Sequence, residues 1–422
     1  MEFDRDARIR ERYATIAAPI LDRPDIFAAV TETMAECGYA GDPAHVELLY
    51  AIFTSRLLDR PMCAFLKAPS SSGKSWLLNR TLELFPPEAY ELKSGITPKA
   101  IAYGRSDLQH RILAIQEASG LQGREGNMLV RTLISEGLVR WEVAGRGSDG
   151  FTTREIERPG PIAFVMTTTH TALHREDETR ALSIQVDDTA EHTRRVLDSI
   201  ADRYSGAADH IVNLAPWHAY QRWLAGGPCQ TVIPFASEIA RHYWTQANRS
   251  KRDFEQVLTA IGTSALMHQT GREIDDCGSV IATLDDYAMA RRFLVKVLGE
   301  ASGAAVPATV RETFHAIAAC ARKLTGDAEE TRWPSITELA AKLGIDKAAA
   351  SRRVAKAKEM GFVADRRARP GFPSRLALIE RLPEDAVVLP SVDKIGITDA
   401  RPEPSRREPH DDSGLRAIDP QA

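Results

Sequence analysis

One stretch limits what this chain can fold into more than any other: Met62-Cys63-Ala64-Phe65-Leu66-Lys67-Ala68-Pro69-Ser70-Ser71-Ser72-Gly73-Lys74-Ser75-Trp76-Leu77-Leu78. An apolar run leads into a loop of small residues. The loop ends in Gly-Lys-Ser, and residues able to start a helix follow. This is the strand–loop–helix order of a phosphate-binding loop. Small residues let backbone N–H groups turn inward around phosphates, and the start of the next helix adds its positive dipole end. On this reading Ala68, Pro69, Ser70, Ser71, Ser72, Gly73, Lys74, Ser75 and Trp76 surround ATP. Lys74 reaches the β- and γ-phosphates, and the Ser75 hydroxyl holds Mg2+. The usual pattern opens with Gly where this chain has Ala68. Ala is less free at positive φ, so the start of the loop is expected to differ slightly.

Such a loop needs a carboxylate opposite it. Arg111-Ile112-Leu113-Ala114-Ile115-Gln116-Glu117 is an apolar strand that ends in one. Glu117 at the strand tip orients the water that attacks the γ-phosphate. Many such strands end Asp-Glu. Here the first place is Gln116, which can sit near a magnesium-bound water but brings no charge, so weaker metal binding or slower turnover is expected.

Further on, Leu138–Val143 and Phe151–Glu157 alternate like strands around a Gly145–Gly150 turn, a hairpin with Arg146 at its tip. Two roles stay open for it: contact with a phosphate backbone inside a pore, or a plain surface hairpin. Ile162-Ala163-Phe164-Val165-Met166 suits the buried centre of a parallel sheet. It runs into Thr167-Thr168-Thr169-His170, where Thr168 faces the γ-phosphate. Glu176–Val186 then passes from an acidic loop through Arg180 into a last strand. Arg180 either points at a neighbouring subunit's nucleotide or pairs with adjacent carboxylates.

Taken together, Lys74-Ser75, Gln116-Glu117, the hairpin ahead of the Phe164–Thr169 strand and Glu178-Thr179-Arg180 resemble the AAA+ P-loop ATPases. The chain is similar, among these, to minichromosome-maintenance-like helicases and to the replicative or primase-associated ATPases of prophages and mobile elements. The resemblance spans about Leu49 to Val297. It implies an α/β core with a parallel sheet, a homo-oligomeric ring, single-stranded DNA in the channel, and an Arg finger at Arg180. It also implies a helical lid closing over the nucleotide, with Arg252 as its phosphate-sensing Arg and Arg249 as the competitor. A primase is a further partner the family admits, but no metal-binding primase centre is visible in this chain.

Beyond a Gly- and Ala-rich linker, Ser335 and Glu338 have the spacing of a capping box, Gly344 turns the chain, and Asp346 caps a further helix. This is helix-turn-helix spacing. Val354 and Ala357 are expected inside. Lys347, Ser351, Arg352 and Lys356 are expected on the face toward duplex DNA. Two short strands with a basic tip, Arg366, Arg367 and Arg369, complete a resemblance to a winged helix, which serves either DNA or protein contact.

The expected organisation is a helical lead-in (1–48), the ATPase core (49–200), the lid (201–300), the winged helix-turn-helix (308–382) and a disordered tail (383–422). Trp217, Tyr220, Trp223, Tyr243 and Trp244 are expected in a core rather than against bases. The chain has 422 residues, of which 43% are apolar, which supports real cores. A net charge of −4 excludes a global basic field, so any DNA contact must be local. None of the five cysteines forms a C-x-x-C pair, so neither a zinc site nor a disulfide framework is indicated. No apolar run is long enough to span a bilayer, and a soluble, cytoplasmic protein is expected. The functional expectation is an ATP-driven DNA motor of helicase type. The alternative is an ATP-gated DNA-binding regulator or loader that does not unwind.

Overall fold

Helix signals open the chain. Asp25 and Asp42 each accept an N–H bond at a helix start, and Pro43 sits in a first turn, where its missing N–H costs nothing. The computed structural model describes residues 2–68, 72–104, 107–117, 128, 131–132, 138–147, 150–169, 180–186, 190–205, 212–245, 249–302, 306–323, 331–367, 369, 372–379 and 388–395. The first helices are α1 (Glu2–Leu21), α2 (Ile26–Glu36) and α3 (Pro43–Thr54).

The next elements are β1 (Cys63–Lys67), α4 (Lys74–Leu82), β2 (Tyr90–Lys93), α5 (Pro98–Tyr103) and β3 (Arg111–Ile115). They are followed by β4 (Leu138–Gly147), β5 (Gly150–Pro159), β6 (Ile162–Thr168) and β7 (Leu182–Gln185). Five of the strands form one all-parallel sheet in the order β2-β3-β6-β1-β7. Its three central strands, β3, β6 and β1, are apolar and buried nearly throughout, while β7 at one edge alternates and β2 at the other is partly exposed. Alternate residues feed two cores. Ala64, Leu66, Ala114 and Val165 join a large cluster with α3 and α4, while Phe65, Ile115, Phe164 and Met166 join a smaller one with Ile101 of α5.

The hairpin β4–β5 is longer than expected. Its strands pair from Leu138↔Pro159 to Gly147↔Gly150, so Arg146 lies within the ladder opposite Phe151 rather than in the turn. Extended backbone continues through Gly145 and Gly147 because the strands stay paired to Gly150. The tip residues Ser148 and Asp149 and the Arg146 side chain lie outside the described residues, as do most of residues 118–137 and all of 170–179.

Helices α6 (Ala190–Tyr204), α7 (Ala215–Ala225), α8 (Ala236–His242), α9 (Ser250–Met267) and α10 (Leu284–Ser302) follow, with a small parallel pair, β8 (Thr231–Val232) and β9 (Val280–Ile281), among them. Trp217, Tyr220, Trp223 and Tyr243 are buried, which settles their role as packing. The N-terminal helices are part of the same core. Ion pairs from Arg292 to Asp25 and Glu47, and from Lys296 to Asp42, fasten α10 to them. The boundary expected at residue 48 falls inside α3.

The C-terminal region has its own core, including Val310, Ile317, Leu339, Val354, Phe362 and Leu376. It consists of α11 (Ala308–Cys320), the short pair β10 (Arg322–Lys323) and β11 (Thr331–Arg332), α12 (Ile336–Leu343), α13 (Lys347–Glu359), β12 (Val363–Asp365) and β13 (Leu376–Leu378). Both halves of the Ser335–Glu338 capping box form, Gly344 takes φ 66°, and Asp346 caps α13.

The tail departs from expectation. Residues 388–395 return to the main core. Val388, Leu389 and Ile395 are buried there, and Tyr287 Oη and Arg291 Nε both donate to Pro390 O, at 2.6 and 2.8 Å. The polar composition around Val387-Val388-Leu389 hid a short apolar anchor. Among the described residues, no helix is long and apolar enough to cross a membrane.

Candidate functional site

Because the sheet is all parallel, the C-terminal ends of its strands share one edge. Phe65 pairs with Met166, and Met166 with Ile115. Two residues on, Lys67 pairs with Thr168, and Glu117 follows just beyond the end of β3. With strands about 4.8 Å apart, the backbones of Lys67 and Glu117 are about 10 Å apart across β6. The edge therefore brings together the loop after β1, the end of β6 and the carboxylate after β3.

The loop leaves β1 at this edge. The Ala68 N–H donates to Thr168 O at 3.4 Å. Gly73 has φ 84°, a left-handed conformation that glycine adopts without strain, and no atom lies within 4 Å of where a Cβ would be. Helix α4 starts at the next residue, and its N-cap, Gly73, has no side chain to bond the first N–H groups. Lys74 is buried and folds back over the loop, its Nζ donating to Ala68 O at 2.7 Å and to Ser72 Oγ at 3.4 Å. Ser75 is exposed. Trp76 is half-buried and stacks on Tyr39 with ring centroids 5.9 Å apart. Pro69, Ser70 and Ser71 lie outside the described residues. Those that are described suit a polyphosphate with its metal: a buried ammonium, helix N–H groups not bonded by their N-cap and an exposed hydroxyl beside them.

Gln116 is held against α4. Its Nε2 donates to Asn79 Oδ1 at 2.8 Å, and its Oε1 accepts from the Ser94 hydroxyl at 3.3 Å. Asn79 follows Ser75 by one helical turn, so the amide lies on the Ser75 face of that helix. Asn79 and Ser94 thus belong to the site, although the sequence reading passed over them. The i,i+4 spacing of Ser75 and Asn79 was the signal available. The Thr167 hydroxyl donates to Gln116 O. Strand alternation puts Thr167 on the α4 face with Gln116, and Thr168 on the other face with Glu117. Thr168 is buried and Glu117 exposed.

Two expected members do not join this edge. Leu182 pairs with Ala64, which sets Arg180 level with Met62, before β1 begins. Arg252 lies on that far side too. Helix α9 runs past the beginning of β1: Thr259 Oγ1 donates to Arg60 O at 3.2 Å, and Glu255 pairs with Arg60 at 3.3 Å. At its start, Arg249 donates to Ala181 O at 3.2 Å. Arg252, exposed on the first turn, opens a helix whose described contacts are with Arg60 and Ala181, ahead of β1 and β7. Arg249 is buried and bonded twice to Asp253, at 2.7 and 2.8 Å, so it anchors the helix. Burial raises the Asp253 pKa, against the pull of the Arg249 charge. The hairpin β4–β5 departs from the far edge too, since it joins β6 at Ile162, level with Arg111.

In the C-terminal region, Lys347, Ser351 and Arg352 are exposed along one face of α13, while Val354 and Ala357 are buried. Lys356 is half-buried and pairs with Glu359 at 3.1 Å. Arg353, between them in sequence, turns inward to Glu312 at 2.8 Å. Arg366, Arg367 and Arg369 are exposed beyond β12. Arg367 bonds to Asp365, whose carboxylate also accepts the Arg367 and Arg375 N–H groups. Partial burial raises the Asp365 pKa, but these bonds outweigh it and hold the carboxyl below its ordinary value.

No protein-family model matches the chain, and a search of curated proteins finds no match.

Proposed function

We propose that this chain is an ATP-hydrolysing, DNA-binding protein of the AAA+ P-loop class, a helicase-like replication ATPase of a mobile element or prophage. The observation that carries the reading is the shared strand edge. A Gly73-Lys74-Ser75 loop, an acidic strand tip and a threonine strand tip meet there, with β6 between the other two strands. Bound ATP would supply the phosphoanhydride to be cleaved, and magnesium would offset its charge. Lys74 would leave its contact with Ala68 O for the phosphates, and the Ser75 hydroxyl would hold the metal. Gln116, fixed by Asn79 and Ser94, would position metal-bound water. Glu117 would orient the attacking water, and Thr168 would report the state of the terminal phosphate.

Arg180 and Arg252 lie away from their own loop, and this favours a ring. In a ring both can face the nucleotide of the next copy, where Arg180 stabilises developing charge. The exposed face of α13 and the arginines beyond β12 suit a winged helix on duplex DNA, with phosphate contacts that position without reading sequence. Single-stranded DNA would pass the β4–β5 hairpin.

A second reading, an ATP-gated regulator or loader, is favoured by Gln116. Its amide is engaged by two neutral partners, so the metal side of the edge lacks a charge. The test is ATP hydrolysis with and without single-stranded DNA. The parent hydrolyses and is stimulated, and Lys74→Ala loses roughly 100-fold or more. Absence of ATP uptake by calorimetry overturns both readings. Hydrolysis without strand displacement selects the second.

A further inference from the structure

The segment Arg366 to Arg375 carries four arginines and no carboxylate, and in its middle is a phenylalanine. Phe372 is 58% exposed. The other phenylalanines with described side chains are buried or partly buried, and Phe372 takes no part in the core of its own region. An aromatic ring left in water forgoes a large burial gain. The residues beneath it that are described are bonded in place. The Arg366 N–H donates to Arg375 O at 2.8 Å, Asp365 holds the Arg367 and Arg375 N–H groups, and Ser374 Oγ accepts the Ile336 N–H at 2.8 Å. Pro373 follows the phenylalanine and restricts its backbone to extended conformations. The ring is thus exposed beside a bonded stem, in a segment whose four arginines are exposed as well.

We propose that Phe372 is a stacking platform for an unpaired nucleic-acid base, with Arg366, Arg369 and Arg375 gripping the flanking phosphates. The ligand is single-stranded nucleic acid. Flat apolar faces spaced along a polyanion complement a lone ring among arginines, whereas a protein partner of matching charge supplies no such stack. Arg367 is committed to Asp365 and serves the stem. The inference rests on the reading of this region as a DNA-binding module, and it adds a site for bases beside the phosphate contacts assigned to α13 and the arginines.

The test uses the full chain, labelled oligonucleotides and fluorescence anisotropy at one fixed salt concentration. Three probes of equal length are compared: a single strand, an abasic strand and a blunt duplex. Phe372→Ala weakens single-strand binding roughly 10-fold or more and leaves abasic and duplex binding nearly unchanged. Phe372→Trp retains affinity, and its added emission is quenched by the single strand but not by the abasic one. Arg366→Ala with Arg369→Ala weakens all three probes and reduces the salt dependence. Equal single-strand affinity for the parent and Phe372→Ala overturns the inference and assigns the ring to a protein surface, while leaving the proposed function intact. If the parent binds no probe, the stacking site and the DNA-binding reading both fail, and ATP hydrolysis, measured separately, decides the rest.

Discussion

Gln116 stands where a second acidic group would sit beside the metal. Its amide donates to Asn79 and accepts from Ser94, so the site is built to hold a neutral group in one orientation. Replacing it with aspartate, the residue usual at this place, adds charge and shortens the side chain by one methylene. Gln116→Asp is expected to lower the magnesium concentration for half-maximal hydrolysis and to raise the rate several-fold, as read from ATPase assays across a magnesium series. An unchanged magnesium requirement would remove Gln116 from the metal side. The residues of this edge were legible in the sequence for a local reason. Lys74 and Ser75 open α4 after the loop, and Glu117 follows β3, each in a pattern of fewer than twenty residues. Asn79 was less legible, because its one signal, the i,i+4 spacing from Ser75, gains meaning only when Gln116 arrives from another strand.

Among the elements, α9 is the most informative. Its last turn is tied to the beginning of α2 by His268, whose Nε2 accepts the Ile26 N–H at 3.1 Å while Nδ1 donates to Ser264 O at 2.8 Å. This fixes a neutral ring. Burial pushes its pKa below the ordinary value, although the bond to Ser264 and the Asp286 carboxylate pull upward. That carboxylate is already taken by Arg272, at 2.8 and 2.9 Å. The unfolded chain therefore takes up the proton first. Stability from this group is complete above the unfolded value of about 6.5 and is lost as pH falls through it toward the lower folded value. Denaturant midpoints measured from about pH 7.5 to 5.5 should fall, and His268→Gln should flatten that part of the slope. The returning segment 388–395 makes a similar point about reach. Leu389 is fully buried. Leu389→Ala should cost about 2–5 kcal/mol of stability in denaturant unfolding, whereas a solvated tail would show no effect.

At the scale of the whole molecule, the separation of the two edges matters most. One edge holds Lys74 and Glu117, and the other holds Arg180 and Arg252. Within one copy the described contacts put the two sets toward opposite ends of the strands. If copies form a ring, Lys74→Ala and Arg180→Ala are each inactive alone, and mixing them restores part of the turnover at interfaces that join two intact sets. No recovery in the mixture, with a single-copy size in the presence of ATP, would sink the shared site.

The sequence by itself determined the local pieces: the apolar strands, the small-residue loop before α4, the capping box at Ser335 and the out-facing residues of α13. Each depends on residues a few positions apart, whose spacing alone selects a backbone conformation. Only the tertiary structure decided which edge each arginine occupies, that Arg249 is bonded to Ala181 just ahead of β7, and that Val388 and Leu389 are core. Those outcomes depend on contacts between residues far apart in the chain, where packing and the pairing of buried charge override any local pattern.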